Sequence, residues 1–454
     1  VYAFVLALFC CVMLSDFLVK TLSLPSALHF LPEAMSAVVT VYVLFAGMRD
    51  RFRLVAPKYW IAFGCMAVVV ICGIINNDTA VGPLLSGMRF HLRAVPMFFL
   101  PAVLTLTTGE LRRQLHWLLG LALLQVPVSL YQRWVIESEG RFSGDDVRGT
   151  LMDSGILSLL LICTVLVLTG MLLRGRISRL RYWILFFALL IPTTINETKV
   201  TVIFLPLGLF ATLLMAAERG KKLKYIGAAT AALIVAGALF VPIYNFTQQH
   251  NPYKNERDIT AFFSSEKKLT KYLTSDVGGV GTQKDVRRGD AIVVPFQYLA
   301  QDPVRLAFGL GIGAVSPSNF GKNFEGPYYQ LFQKFLIISF TTFLLEFGVF
   351  GIIIIGVLFW MVFRDTLTVI RGDTGLVGAL AAGWSGVVVI YVIDVVYTIF
   401  HQFTSATYLY GYLSGIICAR CVALAYERRS IPAGGSRYDS AGVRRRPATA
   451  QSSA

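Results

Sequence analysis

Residues 154–174 read SGILSLLLICTVLVLTGMLLR, with no charged side chain before Arg174. About 20 consecutive apolar residues in an α-helix cross a bilayer core, because a helix satisfies every backbone N–H and C=O within one segment. This stretch meets that requirement by itself. Comparable runs flank it at 1–19, 34–48, 59–76, 89–107, 115–133, 182–195, 199–217, 224–243, 335–363, 375–399 and 405–426. Together they predict an all-α polytopic membrane protein of about twelve transmembrane helices. The windows 34–48 and 182–195 are short, and interfacial residues or local thinning complete such spans.

Composition agrees. Of 454 residues, 56% are hydrophobic and 15% charged, where soluble domains carry roughly a quarter charged residues. The run 1–19 has no basic leader and no small-residue cleavage site, so it reads as a first span rather than a signal peptide. The net charge of +15 is no argument for nucleic acid, because it sits in short loops beside apolar runs. The seven cysteines all lie in apolar segments, Cys418 and Cys421 with CxxC spacing inside one. They read as small packing residues, with neither a disulfide nor a zinc site expected.

Basic loops set orientation. Arg49, Arg51, Arg53 and Lys58; Arg112 and Arg113, in a turn at 108–114; Arg174, Arg176, Arg179 and Arg181; Arg219, Lys221, Lys222 and Lys224; and Arg364 and Arg371 place sixteen cations in five alternate loops. The opposite short loops hold Lys20, Arg141, Arg148 and Lys199. The first set is expected in the cytoplasm with both termini. The chain then divides into helices 1–9 over 1–243, an outer loop over 244–334, helices 10–12 over 335–426, and a Ser-, Ala-, Gly- and Arg-rich cytoplasmic tail over 427–454. Within the outer loop, Phe262, Phe263, Leu269, Tyr272 and Leu273, and then Ile292, Val293, Phe296 and Leu299, have roughly helical spacing and predict amphipathic helices that lie on the membrane or cap a cavity.

Charges in spans are expensive and therefore candidates for function. Here they gather at the outer ends. Arg89 and Arg93 open the fourth span on one face, with His91 pointing elsewhere. Arg133 ends the fifth. Glu197 and Lys199 sit in an outer turn, and Asp394, Tyr397 and His401 are spaced to share a face near the end of span eleven. Each alone also reads as an interfacial side chain snorkelling to water; collected at one face, they predict a polar cavity. The loop 134–153 adds Arg141 and Arg148 with Asp145, Asp146 and Asp153, and the long loop adds Arg287, Arg288 and Asp290. Guanidinium groups match phosphate oxygens in pairs and keep their charge, which suits a pyrophosphate lipid.

Three segments carry a resemblance. They are Arg148-Gly-Thr-Leu before span six; Arg288 through Ala291, Pro295 and Pro303 to Gly309-Leu-Gly-Ile-Gly313; and Leu345-Glu-Phe-Gly-Val-Phe-Gly351. In motif, order and topology, across nearly the whole chain, they resemble the O-antigen polymerase and ligase superfamily of bacterial polysaccharide assembly. The resemblance implies an inner-membrane glycosyltransferase that takes an undecaprenyl-pyrophosphate-linked oligosaccharide at the periplasmic face. No divalent-metal carboxylate motif stands out in the sequence, so metal-independent chemistry without a cofactor is expected. A chain-length regulator is an implied partner. It also implies Arg148 and Arg288 as the phosphate-contacting catalytic pair. Arg89, Arg93, Arg141, Arg287, Asp290, Asp394 and His401 follow from the residues themselves as substrate-binding candidates. Ligases of the superfamily carry a histidine at the start of the span after the long loop, where this chain reads Phe335-Leu-Ile-Ile-Ser-Phe-Thr-Thr. That departure favours polymerase over ligase. It leaves the general base open among His250, His401, Glu197 and Asp290. A secondary transporter is a third reading, against which stand the absence of a clear internal repeat and the placement of charge at the outer face. Gly309-x-Gly-x-Gly313 lacks the preceding strand of a dinucleotide fingerprint, and Asn245-Phe-Thr matches a glycosylation sequon by chance.

Overall fold

Prolines and capping side chains decide where the apolar runs become helices. The computed structural model describes residues 2–104, 106–136, 146–196, 198, 200–217, 220, scattered positions between 224 and 245, 286–318 and 321–430. Among these the helices are α1 (Tyr2–Thr21), α2 (Leu31–Asp50), α3 (Pro57–Asn76), α4 (Val81–Leu92), α5 (Val95–Val103), α6 (Thr108–Tyr131), α7 (Ser154–Leu173), α8 (Arg179–Ile195) and α9 (Thr201–Ala216). Beyond the outer loop come α10 (Arg288–Leu299), α11 (Pro303–Phe308), α12 (Ser339–Gly372), α13 (Leu376–Asp394) and α14 (Thr404–Ser430). No strand occurs among the described residues. Eight of the helical segments are long and apolar enough to cross a membrane. Their outward faces carry bare apolar side chains such as Phe45 and Met48 on α2 and Ile61 and Ile75 on α3, as a lipid environment requires. The chain is a multi-pass membrane protein.

Two of the expected spans are helices shorter than a full crossing, and a third is not described. Residues 182–195 and 199–217 correspond to α8 and α9, and the ninth window, 224–243, lies mostly outside the described residues. The fourth span is not one helix from 89 but the pair α4 and α5. Pro96 has no N–H to give the Leu92 carbonyl and its ring crowds that turn, so the chain breaks between 92 and 95. Nor is 108–114 a turn. Thr107 caps α6, its hydroxyl accepting from Glu110 N–H at 3.3 Å while the Glu110 carboxylate accepts from Thr107 N–H at 2.8 Å, so Arg112 and Arg113 ride on the helix. Residues 335–338 form turns rather than the start of a span. In α10 the helix stands as expected but is rotated. Ala291, Val294 and Leu299 are buried, whereas Val293 and Phe296 face outward. The proposed helix around Phe262–Leu273 lies outside the described residues.

The core is built on α7, α13 and α14, the most buried spans. Backbones there approach until no side chain fits. A Cβ on Gly383 would lie 2.3 Å from the Leu166 carbonyl oxygen, the small-residue contact that stands in for the hydrophobic effect between helices in lipid. α12 has a break at Gly348 (φ 63°, ψ −166°). The part after it, residues 349–372, would measure ~36 Å and spans alone; the part before it packs on α10 and α11 at the outer-loop end.

Candidate functional site

The Gly309–Gly313 turn and the Gly348 break are two halves of one joint. Gly309, Gly311 and Gly313 all have positive φ (76°, 91° and 87°). A Cβ on Gly348 would lie 2.5 Å from both the Ala307 oxygen and the Gly309 nitrogen, and one on Gly313 would lie 1.9 Å from the Pro83 oxygen. Leu310 N–H donates to the Leu345 carbonyl at 2.7 Å. The turn is thus threaded between α4 and the broken start of α12, a path open only to residues without side chains.

This joint aims Glu346 inward. Its side chain is fully buried. One oxygen accepts from Ser316 Oγ at 2.8 Å and from Val315 N–H at 3.3 Å, and the other lies 2.6 Å from His91 Nε2. A buried carboxylate is tolerable only when its lone pairs are engaged in this way. His91 stacks flat against His401, centroids 5.7 Å apart and planes 2° apart, and His401 Nδ1 bonds Ser339 Oγ at 2.9 Å. Burial, reinforced by His91 and Arg93, holds the His401 imidazole well below the usual histidine range, so it is neutral.

On the other side of this histidine pair the two arginines of the α4–α5 break share one acid. Arg89 grips Glu33 with Nε and a terminal nitrogen at 2.6 and 2.9 Å, and Arg93 adds a bond to the same carboxylate at 2.9 Å. Arg93 also donates to the Gln402 carbonyl. Its Nε is buried without a partner among the described residues. These groups line a cavity of about 480 Å³ with Asp16, Lys20, His29 and Thr150–Met152. Among the described residues three permanent cations, Lys20, Arg89 and Arg93, face two carboxylates there. Back to back with it runs an apolar groove of about 240 Å³ lined by Tyr59, Phe63, Phe98, Phe343, His91 and His401. Phe90 belongs to both walls.

The Arg148-Gly-Thr stretch is held open by two glutamines, Gln125 on α6 and Gln132 at its C-terminal end. Gln132 takes the Arg148 and Gly149 N–H groups at 3.0 and 2.8 Å, and Gln125 takes Thr150 N–H at 2.7 Å. Thr150 Oγ1 reaches the Met13 carbonyl at 2.7 Å, which places the strip beside the cavity. Arg148 itself bonds Asp146 at 2.6 Å. Arg288 opens α10 with its guanidinium 4.2 Å over the Tyr397 ring and its Nε 3.1 Å from the Tyr397 carbonyl. Neither arginine is among the described residues lining the cavity. Asp394 is fully buried at the end of α13, taking the Thr398 hydroxyl at 2.9 Å. The Arg287 N–H donates to Asp290 at 3.3 Å at the start of α10.

The structure therefore joins Arg89, Arg93 and the Arg-Gly-Thr strip, and places Arg288 and Tyr397 together. It does not keep Asp394, Tyr397 and His401 on one helical face. α13 stops at Asp394 because the carbonyls of Val395 and Thr398 accept from Phe340 and Ser339 N–H at 2.8 and 2.7 Å, capping α12. His401 turns away to the histidine pair. Arg141, Glu197, Lys199 and His250 lie outside the described residues. Sequence reasoning missed Glu33 and the role of Glu346. An acid in the first turn of an apolar helix is a usable signal for the first, and the position of Glu346 inside a glycine motif for the second. No protein-family model matches the chain, and no curated protein matches it. Its functional reading therefore rests on this site.

Proposed function

We propose that this protein is a polysaccharide polymerase of the bacterial inner membrane, joining undecaprenyl-pyrophosphate-linked repeat units at the periplasmic face. The reading includes twelve spans with both termini in the cytoplasm. The observation that carries it is the cationic cavity set back to back with an apolar groove. That pairing suits an amphiphile whose head bears phosphate and whose tail is a long hydrocarbon. Its position at the end of the bundle away from the arginine-rich loops agrees with a periplasmic donor.

The chemistry follows from the charges. An acceptor hydroxyl attacks the anomeric carbon and gives up its proton to water, the bond from that carbon to the phosphate oxygen breaks, and lipid pyrophosphate leaves with the electron pair. Negative charge grows on the leaving oxygens, and guanidiniums fixed beforehand stabilise it more than they stabilise the ground state. Arg89 and Arg93 supply that charge in the cavity. Arg148 and Arg288 are the pair implied by the resemblance; Arg148 precedes the Thr150–Met152 wall of the cavity, and Arg288 stands over Tyr397 on α10. A ligase, transferring finished glycan to lipid A core or protein, is the second reading. It is favoured by His91 and His401, which bring imidazoles to Ser339 and Phe343 at the start of the span where the chain itself lacks a histidine.

A gene-deletion strain complemented with wild type, Arg93→Ala, Arg148→Ala or Arg288→Ala tests this on extracted glycans. Single repeat units in the deletion, and a ladder restored only by wild type, are the expected result. Long chains left on carrier lipid would make the protein a ligase. Unchanged glycans would remove both readings.

A further inference from the structure

A cavity larger than either of those at the site lies away from it. About 620 Å³ opens among α1, α6, α7, α8, α13 and α14 near the opposite, arginine-loop end. Its rim holds Arg112, His116, Arg176 and Arg181, and no carboxylate lines it among the described residues. Arg176 donates to the Thr374 carbonyl at 2.8 Å; Arg112 and Arg181 are exposed and make no ion pair among the described residues. Both stand near helix N-termini, α6 and α8, where the macrodipole already disfavours cations. The walls below are apolar. Leu160 to Met171 lines it along three turns of α7, roughly 16 Å, and it reaches Trp384 and Leu413, which are both buried.

A rule that merely retains basic residues on one side of the membrane explains the rim. It does not explain an apolar shaft beneath that rim. We propose that this cavity binds an anionic phospholipid, its phosphate held by Arg112 and Arg181 and an acyl chain running inward toward Trp384. Charge complementarity selects the head, since three guanidiniums without a carboxylate call for an anion. The depth and lining select a hydrocarbon tail, so inorganic phosphate alone is a poor fit. The site is independent of the polymerase reading, because it shares no lining residue with the outer cavity.

The test is native mass spectrometry of the purified, delipidated full chain titrated with phosphatidylglycerol or with phosphatidylcholine of the same acyl chains. The expected result is retained phosphatidylglycerol adducts, bound about tenfold more weakly by the Arg112→Gln/Arg181→Gln double variant, and little phosphatidylcholine. Both substitutions are on exposed side chains, so folding is spared. A second readout places the tail. Phosphatidylglycerol brominated in its acyl chains should quench tryptophan fluorescence more than brominated phosphatidylcholine, and the excess should vanish in Trp384→Phe. Equal binding of the two lipids, full binding by the double variant, or displacement of the lipid by inorganic phosphate would each overturn the proposal.

Discussion

The two ends of the helix bundle carry charge in different ways. At the arginine-loop end, acids are matched by their own cations. Lys58 pairs with Asp365, whose other oxygen takes the Tyr59 hydroxyl at 2.8 Å, and Arg420 bridges Asp373 and Glu427, each at 2.6 Å. At the outer-loop end two guanidiniums converge on the carboxylate of Glu33, and the Arg93 Nε is buried without a partner among the described residues. Two like charges in a half-buried space repel, and among the described residues Arg93 shares its acid with Arg89. Balanced pairs hold helices together. A buried guanidinium that shares its acid and lines a cavity, as Arg93 does, is a place for another anion, so the matching of charges, more than the number of arginines, separates a binding site from a structural staple.

That contrast can be broken most violently at the joint that builds the outer end. Gly313→Ala puts a methyl against the Pro83 carbonyl at a positive φ, and the expected cost is ~3 kcal/mol or more, read as loss of folded protein in the membrane fraction. Gly356→Ala, in the part of α12 where a Cβ would meet nothing within 4 Å, should be silent. Next comes Arg93→Ala, expected to lower polymerisation by about 100-fold or more with the protein still inserted. Arg420→Ala, an ion pair of similar length at the other end, should change activity by less than about twofold; equal losses would dissolve the distinction. Smaller again is Glu346→Gln. It keeps the shape but not the charge that faces His91, and about 1–3 kcal/mol is expected in thermal unfolding. Asp365→Asn, whose Lys58 partner is 36% exposed, should cost less, about 1 kcal/mol.

How much of this could be read beforehand differs between the two ends too. The spans α1, α3, α7 and α14 were legible because a long apolar run has few alternatives in lipid. The α4–α5 break turns on one proline inside an apolar window, and a mean over that window hides it. The gathering of Arg89 and Arg93 was visible from their spacing. Their partner was not, since Glu33 lies 56 residues from Arg89 and only tertiary packing brings the two together. Likewise the glycines of 309–313 stand out in the sequence, but their reason, a thread between Pro83 and Gly348, exists only in three dimensions. The expected shared face of Asp394, Tyr397 and His401 failed because helical spacing was extended past the point where carbonyls were needed to cap another helix.

The finest test of the contrast is acidity. His401 belongs to the outer end, and its folded form resists protonation because burial and the neighbouring His91 and Arg93 disfavour a second positive charge. In the unfolded chain the same imidazole takes a proton near pH 6.5. Below that value the unfolded state binds more protons than the folded one, so stability must fall as pH drops, by at most about 1.4 kcal/mol per pH unit from this group, and stay level above it. His401→Gln should flatten the slope between about pH 6.5 and 5, because glutamine can still meet Ser339 without titrating. A melting temperature that instead rises on acidification would mean that the protonated ring finds an acid in the folded state.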